Sequence, residues 1–122
     1  MITAYFDEIR QTLILDEAVA SFTVIREISG NNDGFIRVKC QLADGSVLEF
    51  AEYFQIVSCR ISCKTYNNHW QTCKGHLIKR WDNAPHHCEL ASFPDHLHDG
   101  GKVIKSKPMT LSKVLLAIKL KK

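Results

Sequence analysis

Five stretches between residues 20 and 81 alternate apolar and polar side chains, and short turn sequences separate them. An alternation with a period of two residues is typical of β-strands that are buried on one face. The clearest turn is Asp44–Gly45, because Asp-Gly is a strong hairpin signal, and Asn-Asn-Asp-Gly at 31–34 and Lys74–Gly75 mark two others. Short hairpins join antiparallel neighbours. The sequence therefore predicts an antiparallel meander of about five strands over residues 20–81.

Two segments outside the strands have helical character. Residues 2–15 carry apolar residues at spacings of three and four, and residues 110–119 repeat this pattern after Thr110, a suitable N-cap. Residues 82–108 hold all three prolines and four of the six histidines, so we expect a long polar loop there. The predicted fold is a single α+β domain over residues 1–122, with both helices covering one face of the sheet.

Charge is distributed unevenly along the chain. Residues 1–100 carry a net charge of −4, whereas residues 101–122 carry +7 and no acidic residue. A basic C-terminal segment after an acidic remainder of the chain favours binding to nucleic acid or to an acidic protein. A solvated helix would also account for this distribution of charge. The lysines concerned are Lys102, Lys105, Lys107, Lys113, Lys119, Lys121 and Lys122.

Several features indicate a cytoplasmic protein. The first residues lack the basic patch and apolar core of a secretory signal. No apolar run approaches the roughly 20 residues needed to cross a bilayer. Five cysteines is an odd number in a chain that can fold without disulfides, so we interpret them as reduced thiols.

The densest polar chemistry lies in residues 66–71 and 80–87, which combine histidines, an arginine and two tryptophans. Histidine can exchange a proton near neutral pH, and arginine offers a charged fork that suits a phosphodiester. Aromatic rings can stack on exposed bases. These are the groups needed to cleave RNA without a metal: one histidine removes the 2′-hydroxyl proton, another protonates the leaving oxygen, and arginine stabilises the phosphate. A polar cap held over the sheet by two tryptophans is the alternative.

We predict that His69, Arg80, His86 and His87 converge at one end of the sheet. His86 is the preferred proton-transfer residue, because Pro85 stiffens the backbone in front of it. Trp81 follows apolar residues in a strand and should be buried, whereas Trp70 lies among polar residues and should be more exposed.

The third predicted strand contributes two carboxylates that point to opposite faces. Glu52 falls among the apolar residues, where a carboxylate needs a partner or has a raised pKa. We favour a β-bulge that turns Glu52 outward, or an ion pair with Arg80 or a lysine. Glu49 is the candidate for an acid–base or histidine-orienting role.

Metal binding is not the favoured interpretation of the histidine-rich segment. The sequence has no pair of C-x-x-C knuckles, and adjacent residues such as His86 and His87 point apart on an extended chain. His96 and His98 could face one ion if the chain is extended there. We predict no metal and no cofactor.

The motifs LEFAEY, HWQ, LIKRWDNAPHH and FPDHLH occur in this order and resemble the TumE-type toxin family of prokaryotic toxin–antitoxin systems. The resemblance spans nearly the whole chain and implies a small cytoplasmic ribonuclease toxin encoded beside a helix-turn-helix antitoxin. Asn68 stands where an aromatic residue is expected and Cys88 where proline is expected. The family-like positions are Glu49, Glu52, Tyr66, His69, Trp70, Arg80, Trp81, Asp82, Asn83, His86, His87, His96 and His98.

The leading hypothesis is a toxin that cleaves RNA without a metal, with an antitoxin protein and RNA as partners and a homodimer left open. A non-catalytic RNA- or protein-binding module and a metal-dependent hydrolase are the alternatives. The candidate catalytic residues are His69, His86, His87, Arg80 and Glu49. The candidate substrate-binding residues are Tyr66, Trp70, Asp82, Asn83, His96 and His98.

Overall fold

The chain forms an N-terminal helix, then the seven strands of one antiparallel sheet, then a C-terminal helix. The computed structural model describes residues 1–121, and Lys122 lies outside the described residues. The elements are α1 (Ile2–Leu15), β1 (Val19–Ser29), β2 (Asp33–Leu42), β3 (Val47–Val57), β4 (Arg60–Gln71), β5 (Leu77–Asp82), β6 (His96–Asp99), β7 (Lys102–Lys105) and α2 (Leu111–Lys121). None of the described helices has the length and apolar character to cross a membrane.

The strands lie in the sheet in the same order as in the chain, so each pairs with its sequence neighbours. The predicted α+β meander with a helix at each end is confirmed. The expectation that residues 82–108 form only a loop is wrong, because β6 and β7 form a hairpin within that segment. Gly100 and Gly101 turn this hairpin with φ angles of 58° and 84°, which glycine adopts without strain.

Both helices pack on one face of the sheet. The apolar stripe of each helix is buried in a core shared with the inward residues of β2, β3, β4 and β5. Lys119 Nζ on α2 lies 3.0 Å from Asp16 Oδ2, just after α1. The helix residues in the core are Ile2, Phe6, Ile9, Leu13, Leu111, Val114, Leu115 and Ile118.

Both tryptophans belong to this core. Trp81 is 4% exposed, as predicted, but Trp70 is only 3% exposed, so the prediction of a more exposed Trp70 is wrong. The reason is that β4 continues to Gln71 and directs Trp70 toward Leu48, its partner on β3. The indole N–H of Trp70 donates a hydrogen bond to Ser46 Oγ at 2.9 Å.

Glu52 is also buried on the face covered by the helices, so the outward orientation predicted for it is wrong. A β-bulge does occur near Glu52, but its extra residue is Lys64 on β4, opposite the step from Tyr53 to Phe54. The Tyr5 hydroxyl on α1 donates a hydrogen bond to Glu52 Oε1 at 2.5 Å. Burial raises the pKa of Glu52, and the Tyr5 hydrogen bond partly opposes that shift.

Candidate functional site

Four polar residues form a row across the outer face of the sheet, the face opposite the two helices. Glu49 on β3 pairs with His69 on β4, His69 pairs with Arg80 on β5, and Arg80 pairs with His98 on β6. Paired residues on neighbouring strands project to the same face, and the strands lie about 4.8 Å apart. We call these four residues the cross-strand row.

A groove of about 390 Å³ lies along one part of the cross-strand row. Its walls combine cationic, acidic and amide side chains. Arg37 Nη1 lies 3.0 Å from Glu49 Oε2, and His69 Nε2 lies 3.0 Å from Gln71 Oε1. The lining residues are Arg37, Lys39, Val47, Glu49, Asn67, His69, Gln71 and Arg80.

Arg80 is the central cation of the cross-strand row, and its side chain is 33% exposed. Its Nη2 lies 3.3 Å from His98 Nε2, and its Nε lies 3.3 Å from Asp82 Oδ2. Asp82 therefore holds the guanidinium from one side while part of it still faces solvent. Such a group can bind a phosphate without first losing all its protein contacts.

Three histidines gather at the end of the cross-strand row. His96 and His98 lie two residues apart on β6, and their ring centroids are 5.0 Å apart. His87 reaches them from the loop at 83–95, with ring centroids 5.2 Å from His96 and 5.9 Å from His98. We call these three residues the histidine cluster. His86 is exposed and contacts the histidine cluster only through His87, at a centroid distance of 6.4 Å.

The loop at 83–95 brings His87, and not His86, to the two histidines of β6 because His87 adopts a φ angle of 58°. That value lies in the left-handed region, which side-chain-bearing residues adopt infrequently. His87 is therefore not extended, and the alternation of side chains expected of an extended chain does not apply there. The sequence offered no sign of this conformation.

His96, the most buried member of the histidine cluster, forms a buried pair with Asp82. His96 is 1% exposed, and its Nε2 lies 2.8 Å from Asp82 Oδ1. The Nδ1 atom of His96 lies 2.9 Å from the carbonyl oxygen of Pro94, to which an N–H would donate. Asp82 Oδ2 also lies 3.7 Å from His98 Nε2. The carboxylate thus holds Arg80, His96 and His98 in one arrangement.

The pKa of His98 is lowered, first by burial and then by the positive charge of Arg80. His96 and His87 act in the same direction, and Asp82 opposes them. The lowered pKa favours the neutral form of His98, in which Nε2 can accept a hydrogen bond from Arg80.

Three of the predicted substrate-binding residues have internal contacts instead. The Trp70 ring is buried in the core, and the buried Tyr66 hydroxyl donates to Asp95 Oδ1 at 2.6 Å. Asn83 accepts a hydrogen bond from the Tyr66 N–H and donates one to the Lys64 carbonyl. Tyr66 and Asn83 thus hold β4 to the loop at 83–95, and the rings of Trp70 and Tyr66 are not free to stack on a base.

The groove contains cations that the sequence analysis did not select. Arg37 and Lys39 alternate with buried residues along β2, so their position on the outer face followed from the pattern. The proximity of these two cations to His69 could not be predicted from the pattern, because it depends on the register of β2, β3 and β4.

The family model for Toxin TumE matches residues 9–120. The chain belongs to the TumE toxin family. No curated protein and no solved structure matches it. Membership of the TumE family makes the chain the toxin component of a toxin–antitoxin system, with an antitoxin as its partner. The cross-strand row and the histidine cluster both lie within the part of the chain matched to TumE.

Proposed function

We propose that this toxin is an endoribonuclease that cleaves RNA on the outer face of the sheet by acid–base chemistry without a metal. The observation that supports this most is that Arg80 lies between two histidines in the cross-strand row, His69 on β4 and His98 on β6. A phosphate bound to Arg80 would have a proton-transfer group on each side. Acid–base cleavage of RNA needs this arrangement.

In the proposed reaction, one of the two flanking histidines removes the proton from the 2′-hydroxyl. The hydroxyl oxygen attacks the phosphorus, and the bond to the 5′-oxygen breaks. The other histidine protonates that leaving oxygen, which gives a 2′,3′-cyclic phosphate and a 5′-hydroxyl end. Arg80 stabilises the negative charge that grows on the phosphate during the attack.

The remaining candidates have supporting roles in this proposal. Asp82 and His96 are buried and orient Arg80 and His98. Glu49 holds Arg37 at the edge of the groove and pairs with His69 in the strand register. His87 faces the substrate from the loop side, and His86 beside it remains a candidate for contact with the RNA because it is exposed.

The test is cleavage of an end-labelled RNA by the purified toxin in excess chelator. We expect cleavage to persist, the products to carry cyclic phosphate, and a substrate with 2′-deoxyribose at the cut position to remain intact. If the toxin bound RNA tightly but cut none of it under any condition, it would be a non-catalytic RNA-binding module instead.

We further propose that the toxin acts in the cytoplasm, as a monomer or homodimer, and that its antitoxin is a helix-turn-helix protein with an acidic contact surface. The exposed lysines near the C-terminus are the cationic groups that an acidic antitoxin surface would contact. Lys119 is different, because it already forms an ion pair with Asp16. Replacing Lys113 and Lys121 with glutamine should weaken antitoxin binding and reduce its dependence on salt. Unchanged affinity and salt dependence would contradict this electrostatic contact; the matched control is Lys64→Gln on β4.

A further inference from the structure

We propose that His87, His96 and His98 bind a divalent transition-metal ion, with Zn²⁺ the best fit, and that the bound ion blocks RNA cleavage. The binding site stands on the geometry of the histidine cluster alone. Only the blocking effect rests on the proposed ribonuclease function.

The distances between the three imidazoles suit a shared ion. One ring nitrogen from each of the three histidines lies within 4.8 Å of the others. In a tetrahedral zinc site with Zn–N distances of about 2.0–2.1 Å, ligand atoms lie about 3.4 Å apart. Side-chain rotations of modest size would close that difference. Three protein ligands also leave a fourth position for water or a phosphate oxygen.

The outer contacts of two of these rings are those of metal ligands. A ligating histidine commonly uses its other ring nitrogen for a backbone carbonyl or a carboxylate, which fixes the ring orientation. His96 Nδ1 lies 2.9 Å from the Pro94 carbonyl oxygen, and its Nε2 lies 2.8 Å from Asp82 Oδ1, so an ion bound at Nε2 would displace that contact with Asp82. His87 Nδ1 lies 3.4 Å from Glu89 Oε1, so its Nε2 remains for an ion.

The donor set selects the class of metal. Three imidazoles suit zinc, nickel or copper, whereas Mg²⁺ and Ca²⁺ take oxygen ligands. The buried Asp82 carboxylate offsets part of the added positive charge. Arg80 acts against the ion, because its Nη2 lies 3.3 Å from His98 Nε2. An ion and the Arg80 guanidinium therefore compete for His98.

This competition connects the metal to the activity. An ion that takes His98 removes one of the two histidines that flank Arg80. It also ties the loop carrying His87 to β6. The ion would then keep the toxin inactive until a chelator or a competing ligand removes it.

The binding test uses metal-free toxin titrated with Co²⁺, whose visible absorption reports tetrahedral coordination, and with Zn²⁺ in a calorimeter. We expect one ion per chain. His87→Gln and His98→Gln should each weaken binding by more than about tenfold, since even second-shell partners contribute about 10- to 100-fold to metal affinity. Arg80→Met should tighten binding. His86→Gln and His76→Gln are matched controls that should bind as the unmodified protein does, and circular dichroism checks that each variant is folded.

Cleavage assays separate this proposal from the proposed function. Cleavage in chelator that falls when one equivalent of Zn²⁺ is added supports both. Cleavage in chelator with no metal binding, or equal binding by His87→Gln, His98→Gln and the controls, overturns the metal site and leaves the ribonuclease proposal standing. Metal binding with cleavage that stops in chelator overturns the blocking role and metal-independent catalysis together, while the site itself stands.

Discussion

Arg80→Ala is expected to lower the rate constant of RNA cleavage by about 100- to 1000-fold, the usual cost of removing one preorganised donor to a developing negative charge. The guanidinium lies between His69 and His98 and is held by Asp82, a position that the other groove cations, Arg37 and Lys39, do not share because they lie on β2. Arg80→Lys should recover little, because an ammonium group cannot form the paired hydrogen bonds of a guanidinium. The measurement is single-turnover cleavage of a labelled RNA in chelator.

Arg26→Ala is the matched control for this prediction, since Arg26 is exposed on β1, far from β5 in the sheet order. It should leave the rate constant unchanged. RNA affinity should be measured in parallel, because Arg80→Ala should reduce the cleavage step more than binding. A rate constant for Arg80→Ala equal to that of the unmodified toxin would remove Arg80 from the reaction.

His69→Ala and His98→Ala are each expected to lower the cleavage rate constant by about 100- to 10 000-fold, the range attributed to general acid–base catalysis. A substrate with a leaving group that needs no protonation should restore most of the rate to the variant that has lost the acid. It should not restore the variant that has lost the base. This selective rescue identifies which histidine is the acid, and a purely structural role would not produce it.

His76→Ala is the control for the histidine variants, because His76 is exposed in the turn between β4 and β5. We expect it to cleave RNA at the unmodified rate. Near-normal cleavage by both His69→Ala and His98→Ala would contradict the cross-strand row as the reaction centre.

Most of the sheet could be predicted because period-two alternation and the turns at residues 30–32, Gly45 and Gly75 act over a few residues. The hairpin of β6 and β7 was not predicted because each of its strands has only four residues. Pro94 precedes β6, and two glycines form the turn between the strands. The exposure of Trp70 was predicted wrongly because its neighbours are polar, yet its side chain alternates inward on β4, which continues to Gln71.

The candidate site was predictable in its residue types but not in its assembly. His69, Arg80 and the nearby histidines follow from their chemistry and from the resemblance to the family. The cross-strand row depends on the register of β3 through β6, including a shift between Trp70 and Gln71 that no sequence signal marks. The arrival of His87 in the histidine cluster depends on one left-handed backbone angle.

Because the strands lie in the sheet in chain order, the toxin can fold progressively while it is being synthesised. Every strand pairs with the one before it, so loop-closure entropy is small and the sheet can grow by successive hairpins as the ribosome releases the chain. His98 joins Arg80 only when β6 is added, after the first five strands have emerged. A nascent or truncated chain ending before β6 would thus carry a partly formed sheet that lacks the pairing of Arg80 with His98, and the complete cross-strand row forms only after β6 has been released.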